Sequence, residues 1–89
     1  MKKKIQKYSK NDIVINGRYR HFKGNTYIVK SIATDCETLE DVVIYEALYG
    51  ENKVWVRNLQ NFLEEIPKRP DNITGQKHRF ELIDNNREV

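Results

Sequence analysis

The sequence is poor in the residues that stabilise or anchor several classes of small protein. One cysteine, Cys36, excludes an intrachain disulfide, the cross-link of many small secreted domains, and favours a reducing, cytoplasmic location. The longest aliphatic run, residues 42–45, ends at Glu46 and is far short of the roughly 20 apolar residues that span a bilayer. The sequence therefore predicts a soluble protein that makes no membrane contact.

Basic residues are missing where acidic residues concentrate. Residues 34–51 contain six acids and no lysine or arginine, whereas residues 1–10 contain five lysines and no acid. The net charge of +3 therefore comes from the first ten residues, and acidic residues outnumber basic ones in the rest of the chain. We predict a basic N-terminal arm over residues 1–16, in which residues 1–12 are flexible or loosely docked because their polar composition leaves little to bury. The acidic segment would repel phosphates.

The length of 89 residues leaves room for one hydrophobic core. The sequence predicts three parts: the arm over residues 1–16, a β-sheet core over residues 17–66, and a loop with a C-terminal edge strand over residues 67–89. A domain of this size is only marginally stable, so a homodimer is a natural supplement.

Glycine turns separate short segments with the alternation of β-strands. Gly24 with Asn25 and Gly50 with Asn52 are residues that tolerate the backbone angles of tight turns. The predicted strands cover residues 18–22, 27–33, 42–49, 54–57 and 77–83, with one short helical turn near residues 58–63. Four or five short antiparallel strands predict a mainly β fold, a small SH3-like barrel or roll, because closure hides strand edges.

Alternation within each strand predicts which side chains share a face of the sheet. In the second strand it predicts that one face carries Tyr27, Val29, Ser31 and Ala33. The other face carries Ile28, Lys30 and Ile32. In the third strand it points one uncharged set toward the core: Val43, Tyr45, Ala47 and Tyr49. In the fourth strand Trp55 shares its face with Arg57, opposite two valines.

Several spaced motifs resemble one known family. These are Gly-Arg-Tyr-Arg-His-Phe-Lys-Gly-Asn at residues 17–25, Glu-Thr at 37–38, Val-Val at 42–43, Ala-Leu-Tyr-Gly at 47–50 and Trp-Val-Arg at 55–57, with Tyr45 and Phe62. Together they resemble DUF1653, a small bacterial domain family of unknown function, over about residues 17–66. The resemblance implies an SH3-like barrel there and no established activity.

The chain departs from that family pattern at four positions. Asp35 stands in place of histidine, Asn61 in place of methionine, and Asn58 and His78 in place of prolines. Because Asp35 replaces a histidine, the sequence gives less support to a metal site or an acid–base site beside Glu37. The departure at Asn58 predicts a looser turn after the fourth strand.

The candidate binding residues are polar and aromatic side chains that a sheet brings together. Trp55 and Arg57, with Arg18 and Glu46, are predicted to frame a patch, to which Glu37 is added as a further carboxylate. The same charged residues could instead pair with one another as surface ion pairs. The aromatic side chains could likewise belong to a groove or to the core.

Catalytic and metal-binding functions have little support in the sequence. His21 is interpreted as an ordinary strand histidine, since His78 lies in a different segment and Cys36 has no partner at zinc-ligand spacing. Cys36 lies between Asp35 and Glu37, which would raise the pKa of its thiol and suppress a nucleophilic role. We therefore predict no enzyme activity, no metal and no cofactor.

These observations predict a non-catalytic binding module of the bacterial cytoplasm. Its partner would be a protein segment or a small ligand that contacts the polar and aromatic patch. The alternative is single-stranded nucleic acid, with the lysines of residues 1–10 contacting phosphates and the sheet stacking bases.

Overall fold

The computed structural model describes residues 6–84 and contains one five-stranded antiparallel sheet. A 3₁₀ turn over Lys10–Asp12 precedes the sheet. The strands and the single α-helix follow in this order: β1 Arg18–His21, β2 Thr26–Thr34, β3 Asp41–Ala47, β4 Val54–Asn58, α1 Leu59–Phe62 and β5 Phe80–Asp84. In the sheet the strands lie in the order β4-β3-β2-β1-β5.

This architecture confirms the mainly β prediction, including the short helix after the fourth strand. The predicted turns are present, and Gly24 and Gly50 have positive φ values of 110° and 58°. Closure into an SH3-like barrel is not borne out, since no ladder joins β4 to β5 within residues 6–84. The predicted last strand lies at the sheet edge as β5, and it begins at Phe80 rather than at residue 77.

Although the sheet is open, it is strongly curled. Its edge strands, β4 and β5, are four strand spacings apart, about 19 Å in a flat sheet. Yet the guanidinium carbon of Arg57 on β4 lies 5.5 Å from the centre of the Phe80 ring on β5. Register irregularities in the β1–β5 and β2–β3 ladders provide sites where the strands bend. The result is a roll with a concave face that holds the core.

Aromatic rings fill much of this concave face. Phe62 of α1 and Phe80 of β5 are stacked with centroids 4.1 Å apart, and both are almost completely buried. Tyr45 of β3 contacts both rings edge to face, at 5.3 and 5.2 Å. Helix α1 therefore closes the underside of the roll, because it carries Phe62 directly below the sheet.

A β-bulge changes the alternation predicted for β2. Val29 pairs with Tyr45 and Ser31 pairs with Ile44, so the register shifts between Val29 and Ser31. The extra residue reverses the faces that follow, and Ile32 packs against the core while Ser31 is exposed. The predicted faces are therefore correct before the bulge and wrong after it.

The predicted core face of β3 is confirmed for three of its four residues. Val43, Tyr45 and Ala47 are buried, as their alternation requires. Tyr49 lies beyond the end of β3 and remains 43% exposed. Its position at the rim of the concave face makes it available to a ligand.

The N-terminal segment is more tightly docked than predicted. Ile13 is buried in the core cluster, and the backbone N–H of Asn16 donates to the Val29 carbonyl at 2.8 Å. The Tyr8 N–H donates to the Gln60 side chain at 2.9 Å. These groups fix the arm from Ile13 to Asn16, whereas residues 6–12 are mostly exposed and contact the domain through Tyr8, as the loosely docked alternative allows. The arm prediction for residues 1–5 lies outside the described residues.

Asn58 does not loosen the connection from β4 to α1. Its side-chain oxygen accepts hydrogen bonds from the N–H groups of Gln60 and Asn61, which is the pattern of a helix N-cap. Its side-chain nitrogen donates to Glu40 at 2.7 Å. The looser turn predicted from this departure is therefore wrong. In residues 6–84 we find no helix of the length and apolarity needed to cross a bilayer.

Candidate binding pocket

Trp55 and Arg57 lie on the concave face of edge strand β4. In the β3–β4 ladder Trp55 is paired with Tyr45 and Arg57 with Val43, both of which are buried on that face. The prediction that Trp55 and Arg57 share a face is confirmed. Trp55 is 46% exposed, so its indole is accessible from solvent.

Beside these side chains is a small cavity of about 180 Å³, which we call the Trp55 pocket. It is lined by His21, Tyr27, Tyr45, Tyr49, Trp55, Arg57 and Phe80. A second cavity of about 250 Å³ shares Tyr49 and Trp55 with it and adds Ala47, Glu51 and Lys53. The pocket itself has room for one ring or side chain, whereas drug-sized ligands occupy about 300–1,000 Å³.

Arg57 is held in place from three directions. Its Nε donates to the Tyr45 hydroxyl at 3.1 Å, and its Nη1 donates to the Asn61 side-chain oxygen at 2.6 Å. The guanidinium also lies over the Phe80 ring, in the position of a cation–π contact. Helix α1 begins immediately after β4, so the chain turns between Arg57 and Asn61. This turn brings the Asn61 side chain within hydrogen-bond distance of the Arg57 guanidinium.

The charge of Arg57 is not matched by an ion pair. Across residues 6–84 no carboxylate forms a salt bridge with its guanidinium. By contrast, Arg79 contacts Glu64 at 3.0 Å and Arg18 contacts Asp84 at 2.9 Å. Arg57 therefore presents an uncompensated positive charge in a partly buried aromatic setting.

His21 contributes a neutral ring to the same pocket. Its ring lies 4.4 Å from that of Phe22 and 4.8 Å from that of Phe80, and its Nδ1 accepts a hydrogen bond from the Lys23 N–H. Burial lowers the pKa of His21 to about 4, and the positive charges of Arg57, Arg79 and Lys23 act in the same direction. At neutral pH the imidazole is therefore uncharged and the surrounding potential is positive.

Tyrosine hydroxyls form the remaining polar groups of the pocket. The Tyr27 and Tyr49 oxygens are 2.9 Å apart and share a hydrogen bond. Burial raises the pKa of Tyr27, and the hydrogen bond with Tyr49 raises it further. The Tyr27 hydroxyl therefore remains protonated at neutral pH and can orient a ligand.

Comparison with known proteins places this arrangement in a family. The model of the family described as protein of unknown function (DUF1653) matches residues 17–82, about three-quarters of the chain. The chain belongs to this family. No curated protein matches it. The expected membership is thus confirmed, over a longer segment than the motifs indicated.

A solved structure supports the same assignment. The crystal structure of a DUF1653 protein from Bordetella bronchiseptica is similar, with a TM-score of 0.69 and 29% sequence identity. The similarity covers 85% of this chain and 94% of the Bordetella chain. The Bordetella protein therefore has a fold similar to that of this chain.

Two predicted patch residues of this DUF1653 chain lie on the convex face. Glu46 is paired with Val54 in the β3–β4 ladder and forms a 3.5 Å salt bridge with Lys30. Arg18 is exposed on β1 and pairs with Asp84 of β5. The structure therefore does not bring Arg18 or Glu46 together with Trp55 and Arg57.

Glu37 is remote from the pocket as well. It is exposed in the turn between β2 and β3, where its backbone N–H donates to Asp35 Oδ1 at 2.8 Å. Cys36 is exposed in the same turn. In the described part of the chain no three His, Cys, Asp or Glu side chains are placed to hold a metal ion.

The structure also adds pocket residues that the sequence did not assign. His21 was interpreted as an ordinary strand residue, but it lines the pocket with Arg57. Asn61 was noted only as a departure from the family pattern, and its spacing from Arg57 gives no signal, because Arg57 lies on β4 and Asn61 on α1. Among the candidate groove aromatics, Tyr19 and Phe22 are in the interior, whereas Tyr27, Tyr45 and Tyr49 line the pocket.

Two other cavities have less favourable chemistry. One of about 410 Å³ lies beside α1 and is lined by polar groups that already bond to one another, such as Asn61 with Glu64. Another of about 270 Å³ lies beneath the N-terminal segment, where the Nδ1 atom of His78 lies 3.4 Å from Oε2 of Glu81. The Trp55 pocket differs because it combines an exposed indole with an unmatched cation.

Proposed function

We propose that this DUF1653 chain is a non-catalytic binding module that recognises a protein segment or a small ligand at the Trp55 pocket. The observation that carries the proposal is the fixed, unpaired guanidinium of Arg57 beside the exposed indole of Trp55. Tryptophan and arginine are enriched among residues that dominate binding energies. Because Arg57 is already immobilised, a ligand would not have to order it.

The groups of the pocket suit binding better than catalysis. The raised pKa of Tyr27 makes its hydroxyl a poor nucleophile at neutral pH. The Nδ1 atom of His21 is engaged by the Lys23 backbone, which leaves only the other ring nitrogen for proton transfer. Recognition by ring contacts and by the guanidinium requires neither a nucleophile nor a cofactor.

Selection from a random peptide library tests this function directly. Peptides selected on the purified chain should bind wild type and should lose at least about tenfold in affinity with Trp55→Ala or Arg57→Ala. Leu39→Ala is the control, because Leu39 lies in the turn between β2 and β3, outside the pocket lining, and is 76% exposed. Binding that survives the two pocket variants and fails with Leu39→Ala would place recognition elsewhere.

Single-stranded nucleic acid is a second candidate, favoured by the exposed rings of the Trp55 pocket and its positive potential. Its affinity for a single-stranded RNA should then fall steeply with salt concentration and should fall again when the lysines of residues 1–10 are changed to glutamine. RNA binding that is absent, or independent of salt, would remove this candidate.

We also propose a homodimer formed through edge strand β4. Val54 and Val56 are 60% and 62% exposed on a strand whose outer edge has no sheet neighbour among residues 6–84. Antiparallel pairing of β4 with a second copy would satisfy its backbone groups and cover both valines. Sedimentation should show association that depends on concentration and is weakened by Val56→Lys. A monomer at high concentration would exclude the dimer.

A further inference from the structure

We propose that the Trp55 pocket selects a single carboxylate carried beside a flat apolar group. The group would come from a free aromatic acid or from a peptide that ends in an aromatic residue. This inference rests on the proposed binding function and specifies its ligand chemistry. It follows from the donors, charge and size of the pocket.

The donor geometry of Arg57 favours a planar anion. Two of its nitrogens, Nε and Nη1, are already bonded to Tyr45 and Asn61, whereas its Nη2 makes no hydrogen bond within residues 6–84. These contacts fix the plane of the guanidinium and leave an outer edge for a ligand. Arginine donors on a flat fork match the two oxygens of a carboxylate.

The number of charges favours a singly charged group. Arg57 is the only residue of the pocket lining that is cationic at neutral pH, because the pKa of His21 is lowered to about 4. A phosphate monoester carries about −1.5 to −2 at pH 7 and would remain largely uncompensated in this partly buried setting. A carboxylate carries one negative charge and matches Arg57.

The apolar part of the ligand is indicated by the rings around the guanidinium. Tyr45, Tyr49, Trp55 and Phe80 supply ring faces and edges within a volume of about 180 Å³. This volume accepts one ring with a small substituent. The neighbouring cavity shares Tyr49 and Trp55, so a peptide could place its terminal residue in the pocket and the preceding residue next to it.

Fluorescence of Trp55, the single tryptophan of the chain, reports directly on the pocket. The test compares benzoate with the neutral isostere benzamide and with phenyl phosphate, at constant ionic strength. N-acetylphenylalanine and its amide form a second pair, which separates a peptide terminus from a free aromatic acid. We expect each acid to bind at least about tenfold more tightly than its amide, because the guanidinium interacts more strongly with a charged acceptor.

Variants assign the preference to Arg57. Arg57→Gln should reduce the affinity for the acid to that for the amide, whereas Arg20→Gln, on an exposed arginine of β1, should leave the preference unchanged. Asn61→Leu removes the 2.6 Å bond that orients Arg57 and should weaken the preference while keeping the charge. If Arg57→Gln does not fold, the comparison of acid and amide on wild type still decides the question.

The outcomes separate this inference from the proposed function. Equal affinity for acid and amide, or tighter binding of phenyl phosphate, would overturn carboxylate selection and leave the pocket as a binding site. A fluorescence signal that no probe changes would also overturn it. In each case the peptide selection with Trp55→Ala and the control Leu39→Ala judges the binding function independently.

Discussion

At the residue scale, Phe62 shows how strongly a small core depends on single rings. It is fully buried, stacks on Phe80 and contacts Tyr19 and Tyr45 edge to face. We expect Phe62→Ala to lower the free energy of unfolding by about 3–5 kcal/mol, since it leaves a cavity among rings that cannot collapse. Urea denaturation measures this loss.

Leu39 provides the matched control. It is 76% exposed in the turn before β3, and Leu39→Ala should change the free energy of unfolding by less than about 0.5 kcal/mol. A similar loss for both variants would contradict the assignment of the core.

His21 should make stability depend on pH. The pKa of His21 is lowered to about 4 in the folded chain, mainly by burial, whereas an unfolded histidine has a pKa of about 6.5. Between these values the unfolded chain binds more protons, so the free energy of unfolding falls as the pH decreases from 6.5 to 4. The full contribution of His21 is present above pH 6.5.

Denaturation at several pH values checks this expectation. His21→Asn should have a flatter profile between pH 6.5 and 4, because asparagine does not titrate. An equally steep profile in wild type and variant would assign the pH dependence to other groups. The lowered pKa of the exposed Asp35 acts only at more acidic pH.

The residue types alone could not predict which side chains lie together in the candidate site. Arg18 and Glu46 were grouped with Trp55 by charge, but the ladder places them on the convex face, where Asp84 and Lys30 neutralise them. The pair of Trp55 and Arg57 was predictable, because alternation decides which side chains of one strand share a face. Which strands meet across the roll depends on its curl, which no local pattern shows.

At the element scale, the N-cap of α1 links the sheet to the pocket. Asn58 holds the first turn of α1, and that turn places Asn61 against Arg57. We expect Asn58→Ala to reduce stability by about 0.5–2 kcal/mol, because two helix N–H groups lose their acceptor. Thermal unfolding followed by circular dichroism measures the change.

Asn58→Ser tests whether the cap is responsible. Serine keeps an oxygen acceptor at this position and should retain most of the stability, although its bond to Glu40 is lost. Equal losses for alanine and serine would assign the effect to the Glu40 contact instead.

The strands were predictable to within a few residues, whereas their irregularities were not. Glycine turns and β-branched runs mark where β2 and β3 begin and end. The bulge near Lys30 inserts one residue without any mark in the alternation, so Ser31 and Ile32 exchange faces. Its effect becomes visible only when the partner residues on β3 are known.

At the scale of the whole molecule, the N-terminal segment is part of the domain. Ile13 is buried at 8% exposure, whereas Ile15, two residues later, is 45% exposed. We expect Ile13→Ala to cost about 2–5 kcal/mol in stability because it removes a side chain from the core cluster. Chemical denaturation of the full chain is the measurement.

Ile15→Ala makes the same chemical change outside the core and should cost less than about 1 kcal/mol. Comparable effects of the two substitutions would mean that the segment does not dock in solution. Composition could not predict this docking. Tyr8 stands among polar residues and Ile13 begins an apolar run of only three residues, whereas their contacts, Gln60 and the core cluster, lie far along the chain.

The position of Phe80 has a consequence for how the chain is made. Its ring touches Tyr27, Tyr45 and Phe62 at the centre of the roll, although it belongs to the last strand. During synthesis the earlier strands leave the ribosome first, and they cannot seal their aromatic surface until residue 80 has emerged. The nascent chain therefore exposes its tyrosines to the cell until translation of β5 is complete, and that interval is when chaperones or aggregation would compete for it.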